Sequence, residues 1–119
     1  MESKVAYIIN RRIIQNFMDL LILSHLKDNS PMSGYDVIKY LHRKFHILPS
    51  SGKVYSLLYS LERQRLVRGT ENNRKRVYKL TQQGEEFLRE IQRTRNSIKA
   101  VLSSVLSEVK FTYQTTTDD

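Results

Sequence analysis

The sequence predicts a mainly α-helical protein with one small β-hairpin and a long helix near its C-terminal end. Apolar side chains recur every three or four residues over most of the chain, which is the spacing of one helix face. Ser or Thr precedes several of these runs, where a side-chain oxygen caps a helix. Around residue 70 the spacing changes to alternation on both sides of a turn-forming stretch, which predicts the hairpin.

The composition indicates one folded domain. The 119 residues are 39 % hydrophobic and 27 % charged, so the chain is long enough for one good core and too short for two. The lack of cysteine excludes disulfides, thiolate zinc sites and a cysteine nucleophile. The longest apolar run, residues 17–26, is too short for a bilayer and contains Asp19, and the N-terminus lacks a signal-peptide pattern. We therefore expect a cytoplasmic protein with no membrane partner.

The net charge of +8 is confined to the middle of the chain. Residues 33–80 contain eleven Lys and Arg against three acidic residues, whereas the rest of the chain contains nine of each. A general need for solubility would explain a positive total but not its confinement. Such a concentration is expected of a surface that meets a polyanion.

Three helices are predicted before the hairpin. Apolar residues between 11 and 27 form a wide stripe, which predicts one well-buried first helix, and a cluster of turn formers follows it. Ser33 is the expected N-cap of the second helix. Ser50 or Ser51 is the expected N-cap of the third helix, which should end near residue 65.

The hairpin is predicted from residues 66–69 and 75–80, which flank the turn formers GTENN. Its tip should comprise residues 72–75, and the alternation places Tyr78 and Leu80 on the inner face. Three helices followed by a basic hairpin is the order of a winged helix-turn-helix, in which the hairpin is the wing.

A long last helix is predicted after Thr81, its expected N-cap, with apolar positions at heptad spacing. A helix of this length extends roughly 40 Å, so a compact domain cannot cover its whole seam. We expect a second copy to cover it, in a homodimer. The alternative is a helix that folds back on its own chain, because the seam is short and contains an arginine. The predicted interface residues are Leu88, Ile91, Arg95, Ile98, Leu102, Val105 and Val109.

These elements predict a winged helix-turn-helix domain with its N-terminal helix over residues 1–80. A C-terminal dimerisation helix follows over 81–110, and a disordered tail over 111–119.

The third helix has an unusual outer side. Its inner side is apolar and consists of Val54, Leu57, Leu58 and Leu61. The outer side carries a glycine, serines, a tyrosine and an arginine, whereas a solvated face would normally carry Glu, Lys and Gln. Small residues allow close approach to base edges in the major groove, and long polar residues supply donors. The predicted DNA-binding residues of this helix are Ser51, Gly52, Lys53, Tyr55, Ser56, Tyr59, Ser60 and Arg63.

Tyr55 lies at the edge of the apolar side, so it is as suited to packing as to phosphate contact. In the hairpin, Arg74 and Lys75 lie at the turn, where a long cation reaches a phosphate or a narrow minor groove. Arg68 and Arg76 complete the predicted DNA-binding set.

Three blocks of the sequence resemble the PadR-like family of winged-helix transcriptional regulators. They are LLILSHLKDNSPMSGYDVIKYLHRKF at 20–45, SSGKVYSLLYSLERQRLV at 50–67 and RVYKLTQQGEEFL at 76–88. The resemblance implies a homodimer whose third helices enter successive major grooves and whose C-terminal helices form the interface. Relatives repress transcription, and some release DNA when a phenolic or multidrug ligand binds. Where relatives usually have glycine after the third helix, this chain has Arg65, at a position that often takes the left-handed conformation.

No enzyme active site, metal or cofactor is predicted. His42 and His46 stand four apart but have no third ligand close by, and no nucleophile motif or glycine-rich phosphate loop occurs. A small-molecule effector stays open as a possible partner. Tyr7, Phe17 and Met18 could line a cavity with the last helix, although such a stripe is more typical of a core.

The predicted function is a sequence-specific dimeric DNA-binding regulator, in the form of a repressor on a palindromic operator in double-stranded DNA. Two alternatives stay open. An architectural or nucleoid protein would coat DNA through the same basic surface without strong sequence preference. A winged-helix protein-interaction module would bind no nucleic acid. Competition with nonspecific DNA distinguishes the first alternative from a repressor.

Overall fold

The structure is a computed structural model and describes residues 3–111. Over these residues the chain forms, in order, α1 (Lys4–Asn16), α2 (Met18–Asn29), β1 (Met32–Ser33), α3 (Gly34–Phe45), α4 (Ser51–Arg63), β2 (Val67–Asn72), β3 (Lys75–Leu80), α5 (Gln82–Arg93) and α6 (Arg95–Glu108). The chain divides between Arg89 and Glu90 into two compact units. None of the described helices has both the length and the apolar character to cross a membrane.

The N-terminal region differs from the prediction, because two helices meet at Phe17. The Phe17 backbone leaves the helical region (φ −113°, ψ 21°), yet its N–H still donates to the Ile13 and Ile14 carbonyls at 3.1 and 3.3 Å. No glycine or proline marks this break in the sequence. No residue of α1 is buried, whereas α2 buries Met18, Ile22, Leu23 and Leu26. The prediction of one well-buried helix over 11–27 is therefore wrong.

The starts of α3 and α4 are as predicted. At α3, Ser33 Oγ accepts from the Asp36 N–H at 3.1 Å, and the Asp36 carboxylate accepts from the Ser33 N–H at 3.0 Å, which is a capping box. At α4, Ser50 Oγ accepts from the Lys53 N–H at 3.1 Å. Each cap satisfies donors that the first helical turn leaves unpaired, so it fixes where the helix begins.

The core lies between α2, α3, α4 and the inner face of the hairpin. Its most completely buried side chains are Met18, Ile22, Leu23, Leu26, Val37, Leu41, Val54, Leu58 and Val67. Tyr78 is buried and Leu80 packs against the same cluster, which confirms that both point inward. Because three helices contribute to one close-packed cluster, packing fixes how each of them is rotated.

The three strands form an antiparallel sheet in the order β1-β3-β2. The last pair of β2 and β3 is Asn72 opposite Lys75, so the turn lies at the predicted tip. β2 thus continues beyond its predicted end at residue 69. The two-residue strand β1, where a turn was predicted, pairs Met32 with Tyr78. So short a strand is defined by its partner in the fold, and its own sequence carries no alternation that would predict it.

A Schellman motif closes α4, with Arg65 in the left-handed conformation at φ 65°. The Leu66 N–H donates to the Leu61 carbonyl at 3.0 Å, and the Arg65 N–H donates to the Glu62 carbonyl at 2.9 Å. Leu61 and Leu66 are both buried, which adds the apolar contact that accompanies this motif. The expected conformation of residue 65 is confirmed, and an arginine occupies the place of the usual glycine.

The C-terminal region forms two helices where a single one was expected over 81–110. Thr81 caps α5 as predicted, since its Oγ1 accepts from the Gly84 N–H at 3.0 Å. Thr94 separates α5 from α6 with non-helical backbone angles (φ −101°, ψ 11°). Its hydroxyl donates to the Glu90 carbonyl at 2.8 Å, and a hydroxyl that bonds back to the preceding turn is a known cause of helix distortion.

The predicted apolar seam divides between two environments. Leu88 packs against the core of the first unit. The large apolar side chains of α6 and its C-cap are between 41 % and 78 % exposed, namely Ile98, Val101, Leu102, Val105, Leu106 and Val109. Residues 112–119 of the tail predicted over 111–119 lie outside the described residues.

Replacing Arg65 by glycine is expected to stabilise the protein by about 0.5–1 kcal/mol. A side chain in the left-handed conformation costs roughly 1–2 kcal/mol, and glycine regains only part of this because it is freer in the unfolded chain. Chemical denaturation followed by circular dichroism measures the change. Arg63→Gly, within the last turn of the same helix, is the matched control and should destabilise by about 1 kcal/mol. A loss of stability in Arg65→Gly would show that the left-handed conformation of Arg65 is not strained.

Candidate nucleic-acid interface

The two sides of α4 differ as the sequence predicts. Val54 and Leu58 of the inner side are 0 % exposed, and Leu61 is 2 % exposed. Burial of these side chains fixes the rotation of the helix and holds the opposite residues outward. The exposed residues of the outer side are Ser51, Gly52, Lys53, Ser56, Tyr59 and Arg63.

Gly52 leaves open space on this outer side. A Cβ atom at position 52 would have no heavy atom within 4 Å, so the fold itself does not require glycine there. Glycine in a helix costs roughly 0.5–1 kcal/mol relative to alanine. A glycine that packing does not require, on the outer side of α4, fits a surface that another molecule approaches closely.

Tyr59 and Arg63 form a pair on the outer side. The Arg63 guanidinium carbon lies 5.1 Å from the centroid of the Tyr59 ring, in cation–π geometry, and Tyr59 is 61 % exposed. The ring therefore helps to order a long cation on the helix surface. Ser60 is half-buried, and its Oγ accepts from Gln64 Nε2 at 3.1 Å, so part of its bonding capacity is used within the chain.

Tyr55, at the edge of α4, packs its ring on the first residue of α3. A Cβ atom on Gly34 would lie 2.5 Å from Cε1 and Cζ of Tyr55 and 2.8 Å from its hydroxyl oxygen. Glycine at position 34 therefore allows α3 and α4 to approach this closely. Tyr55 also remains exposed, so its packing does not remove it from the surface.

The wing, which comprises β2, β3 and their turn, has two faces, because directly paired residues share a face. The inner face contains Val67, Gly69, Glu71, Arg76, Tyr78 and Leu80. The outer face contains Arg68, Thr70, Asn72, Lys75, Val77 and Lys79. Three exposed cations, Arg68, Lys75 and Lys79, thus share the outer face with Val77, which is itself buried.

The turn of the wing consists of Asn73 and Arg74, with φ of 52° and 65°. Two positive φ values are typical of a type I′ turn, for which asparagine followed by glycine is preferred. Arg74 stands where glycine would fit, at a cost of roughly 1–2 kcal/mol. The strained residue places a long cation at the tip of the wing. Backbone strain of this kind is concentrated at functional sites.

Glu62 joins α4 to the wing. Its Oε2 accepts from Arg76 Nη2 at 2.7 Å and from the Gly69 N–H at 3.3 Å. The Glu62 carboxylate raises the pKa of Arg76. Arg76, a predicted DNA contact, is therefore already paired with a carboxylate of its own chain.

The start of α3, which carries Asp36, lies beside the wing, because Ser33 immediately before it pairs with Val77 of β3. The N–H of Ser33, from which its carboxylate accepts, is the main cause that lowers the pKa of Asp36. The positive charges of Lys75 and Lys39 lower this pKa further. The start of α3, the edge of α4 at Tyr55 and the end of the wing thus belong to one region.

Three further exposed residues, which the prediction did not include, lie beside the predicted set. Lys79 lies opposite Arg68 on the outer face of the wing. Tyr35 and Lys39 lie on the first turns of α3, and Lys39 Nζ is 5.4 Å from the Tyr35 ring centroid. Their spacing of four residues at the start of a predicted helix was the available signal.

Other kinds of site have less support. Within residues 3–111 no group of three or more His, Cys, Asp or Glu side chains is placed to hold a metal ion. Met18, considered above as a cavity-lining residue, is buried in the core. Tyr7 does line a cavity of about 270 Å³, together with Asn10, Arg11, Ile14, Phe45, His46 and Ile47.

A helix-turn-helix of α3 and α4, flanked by a cationic hairpin, defines the winged-helix class of DNA-binding proteins. Within this class, residues 22–90 match the transcriptional regulator PadR-like family, and the chain belongs to this family. The chain has no match among curated protein sequences.

Solved structures share this fold. A PadR family transcription regulator from a hypervirulent Clostridium difficile is 25 % identical with a TM-score of 0.65, over 76 % of this chain and 98 % of that one. A winged-helix DNA-binding protein from STIV shares the fold at 22 % identity and a TM-score of 0.57, over 71 % and 91 % of the two chains. So does Bordetella bronchiseptica BpsR, whose DNA binding is regulated by 6-hydroxynicotinic acid, at 20 % and 0.57, over 71 % and 57 %.

Arg74→Gly is expected to stabilise the protein by about 0.5–1 kcal/mol and to weaken its binding to DNA. Glycine suits the turn, so the protein should be more stable. Loss of the cation should make the fall of log K with log salt less steep, by about 0.9 for each bound protomer. Thermal denaturation and fluorescence anisotropy with a labelled duplex measure the two effects. Asn73→Gly changes the neighbouring turn residue without a change of charge and should keep the slope. A wild-type slope in Arg74→Gly would show that the tip does not meet DNA.

Proposed function

We propose that this protein is a sequence-specific, dimeric transcriptional repressor that acts in the cytoplasm and inserts α4 into the major groove of double-stranded DNA. The observation that carries the proposal is the outer side of α4, where small residues and long donors stand opposite a fully buried inner side. A solvated helix does not need this combination, whereas a helix that approaches base edges does. Membership of a family of transcriptional regulators supports the same function.

The proposed contacts divide into two kinds. Most residues of the outer side bind phosphate and position the helix, and one or two of the longest, Lys53, Tyr59 and Arg63, read bases. Cations of the wing bind phosphate beside the groove or enter the adjacent minor groove. The proposed set is Ser51, Gly52, Lys53, Tyr55, Ser56, Tyr59, Ser60 and Arg63 of α4, and Arg68, Arg74 and Lys75 of the wing.

The dimer is proposed from the exposed apolar side chains of α6. Side chains such as Ile98, Leu102 and Val105 are poorly covered in a single chain, and a second copy would bury them. Because Leu88 packs against the core, the proposed interface rests on the positions beyond it, Ile91, Arg95, Ile98, Leu102, Val105 and Val109. Two joined copies would hold their α4 helices about one turn of DNA apart, roughly 34 Å, which predicts a palindromic operator.

We propose no effector at the cavity beside Tyr7. The cavity beside Tyr7 has a volume of about 270 Å³. Cavities that bind small ligands usually measure about 300–1,000 Å³. Since this cavity falls below that range, its geometry does not favour a ligand at this place.

Selection from a library of random duplexes tests the function directly. A repressor should enrich one palindromic sequence, because two α4 helices related by symmetry read the same bases twice. At physiological salt the enriched duplex should bind at least about 10³ times more tightly than a scrambled duplex of the same composition, measured by anisotropy in competition.

The scrambled duplex is the control for charge, since it presents the same phosphates. A protein that binds both duplexes with equal affinity would be an architectural protein that coats DNA. A protein that binds neither duplex in dilute buffer would be the interaction module that uses no nucleic acid.

Leu102→Asp is expected to convert the dimer into monomers at micromolar concentration and to weaken operator binding by about 10² or more. Burial of a carboxylate in an apolar interface is costly, and loss of the second α4 removes the gain from bivalent binding. Analytical ultracentrifugation measures the mass and anisotropy the affinity. Ser104→Asp places the same charge outside the seam on α6 and should leave both unchanged. A wild-type protein that sediments as a monomer would contradict the dimer.

A further inference from the structure

We propose that Glu62 is a positioning residue of the DNA interface. It holds the wing against α4 through Arg76 and Gly69. Its negative charge also neutralises Arg76, so that Arg76 is not one of the cations that bind phosphate. This inference rests on the proposed function, and it gives Arg76 a role within the chain in place of the direct contact that the sequence predicted.

One oxygen atom of Glu62 contacts both strands of the wing. Gly69 lies on β2 and donates its backbone N–H to Oε2, whereas Arg76 lies on β3 and donates a guanidinium N–H to the same atom. Glu62 lies in the last turn of α4, next to Arg63. A displacement of either strand relative to α4 would therefore lengthen one of these bonds.

The guanidinium of Arg76 has further neighbours on the inner face, and the side chain is 43 % exposed. Its carbon lies 5.9 Å from the Tyr78 ring centroid. A Cβ atom on Gly69 would lie 2.8 Å from Nε and Nη2 of Arg76, so the absence of a side chain at position 69 gives the guanidinium its space. The backbone of β2, the ring of Tyr78 and the Glu62 carboxylate together define one position for this side chain.

Arg76 also differs from the other cations of the wing in that a carboxylate neutralises its charge. Of all Lys and Arg between 33 and 80, each of which the structure describes, Arg76 alone forms an ion pair with a carboxylate. A phosphate contact lowers affinity at high salt because the cation displaces condensed counterions. A cation that is neutralised by its own chain contributes little to this release, whereas Arg74 at the tip contributes fully.

Two variants test the inference: one removes the Glu62–Arg76 ion pair without a change of net charge, and the other removes the cation at the tip. Glu62→Gln/Arg76→Gln should weaken binding to a mixed-sequence duplex of about 30 base pairs, long enough for two half-sites, by the same factor at every salt concentration. Its slope of log K against log salt should equal that of the wild type. Arg74→Gln should make this slope less steep by about 0.9 for each bound protomer. Arg76→Lys keeps the ion pair and should bind the duplex with the affinity of the wild type.

Hydrogen exchange at the Gly69 amide, followed by NMR on the full chain without DNA, reports the position of the wing. Glu62→Ala removes the acceptor and should accelerate this exchange, and Arg76→Gln should accelerate it as well, whereas Arg74→Gln should not. Unchanged exchange at Gly69 in Glu62→Ala would overturn the positioning role, whatever the DNA measurements give.

The two proposals fail in different ways. If the wild type binds the duplex and Glu62→Gln/Arg76→Gln reduces the salt dependence of log K as much as Arg74→Gln does, Arg76 is a phosphate contact and this inference alone is wrong. If the wild type ignores the duplex in dilute buffer, the proposed function is wrong, and this inference is overturned with it. Thermal unfolding of each variant shows that the compared proteins are folded.

Discussion

Burial of one side of α4 is the constraint on which the proposed interface depends. Val54, Leu58 and Leu61 are fully buried, and burial of such a side chain contributes about 1.5–3 kcal/mol. Rotation of α4 by one position would expose these side chains and bring Lys53 or Tyr55 into the core. The cost would approach the whole net stability of a domain, about 5–15 kcal/mol. The core thus sets which residues face outward, and leaves the identity of those residues free for recognition.

The sequence predicts the parts of the fold that local interactions determine. Ser33, Ser50 and Thr81 are caps within three residues of the N–H groups they accept from, so their roles follow from the sequence. The helix breaks at Phe17 and Thr94 carry no glycine or proline and were missed, and β1 exists only through its pairing with β3. The outer side of α4 was predictable because it is the complement of the apolar stripe. The contact between Glu62 and Arg76 was not, because fourteen residues separate the partners and the wing must fold to join them.

Two arginines occupy backbone conformations that suit glycine. Arg65 precedes β2 and Arg74 forms the tip of the wing, and each left-handed side chain costs roughly 1–2 kcal/mol. This cost is tolerable only because the core supplies the remaining stability. Both positions also add a cation on or beside the wing, within the segment that holds all of the excess charge. The proposed phosphate contact explains why an arginine occupies the strained position 74. No contact of the described residues explains why an arginine occupies position 65.

The proposed dimer seam is as much a part of DNA affinity as α4 itself. One α4 and its wing present only a few cations once Arg76 is paired with Glu62, and contacts of this kind alone give dissociation constants of about 10⁻⁴–10⁻⁶ M at physiological salt. When two such surfaces are joined, the second binds at a high effective concentration and the affinity rises by about 10²–10⁴. The apolar side chains of α6 do not touch DNA in this arrangement. In this proposed dimer, burial of these side chains would hold the two surfaces together, and the outer side of each α4 would need to supply only the choice of sequence.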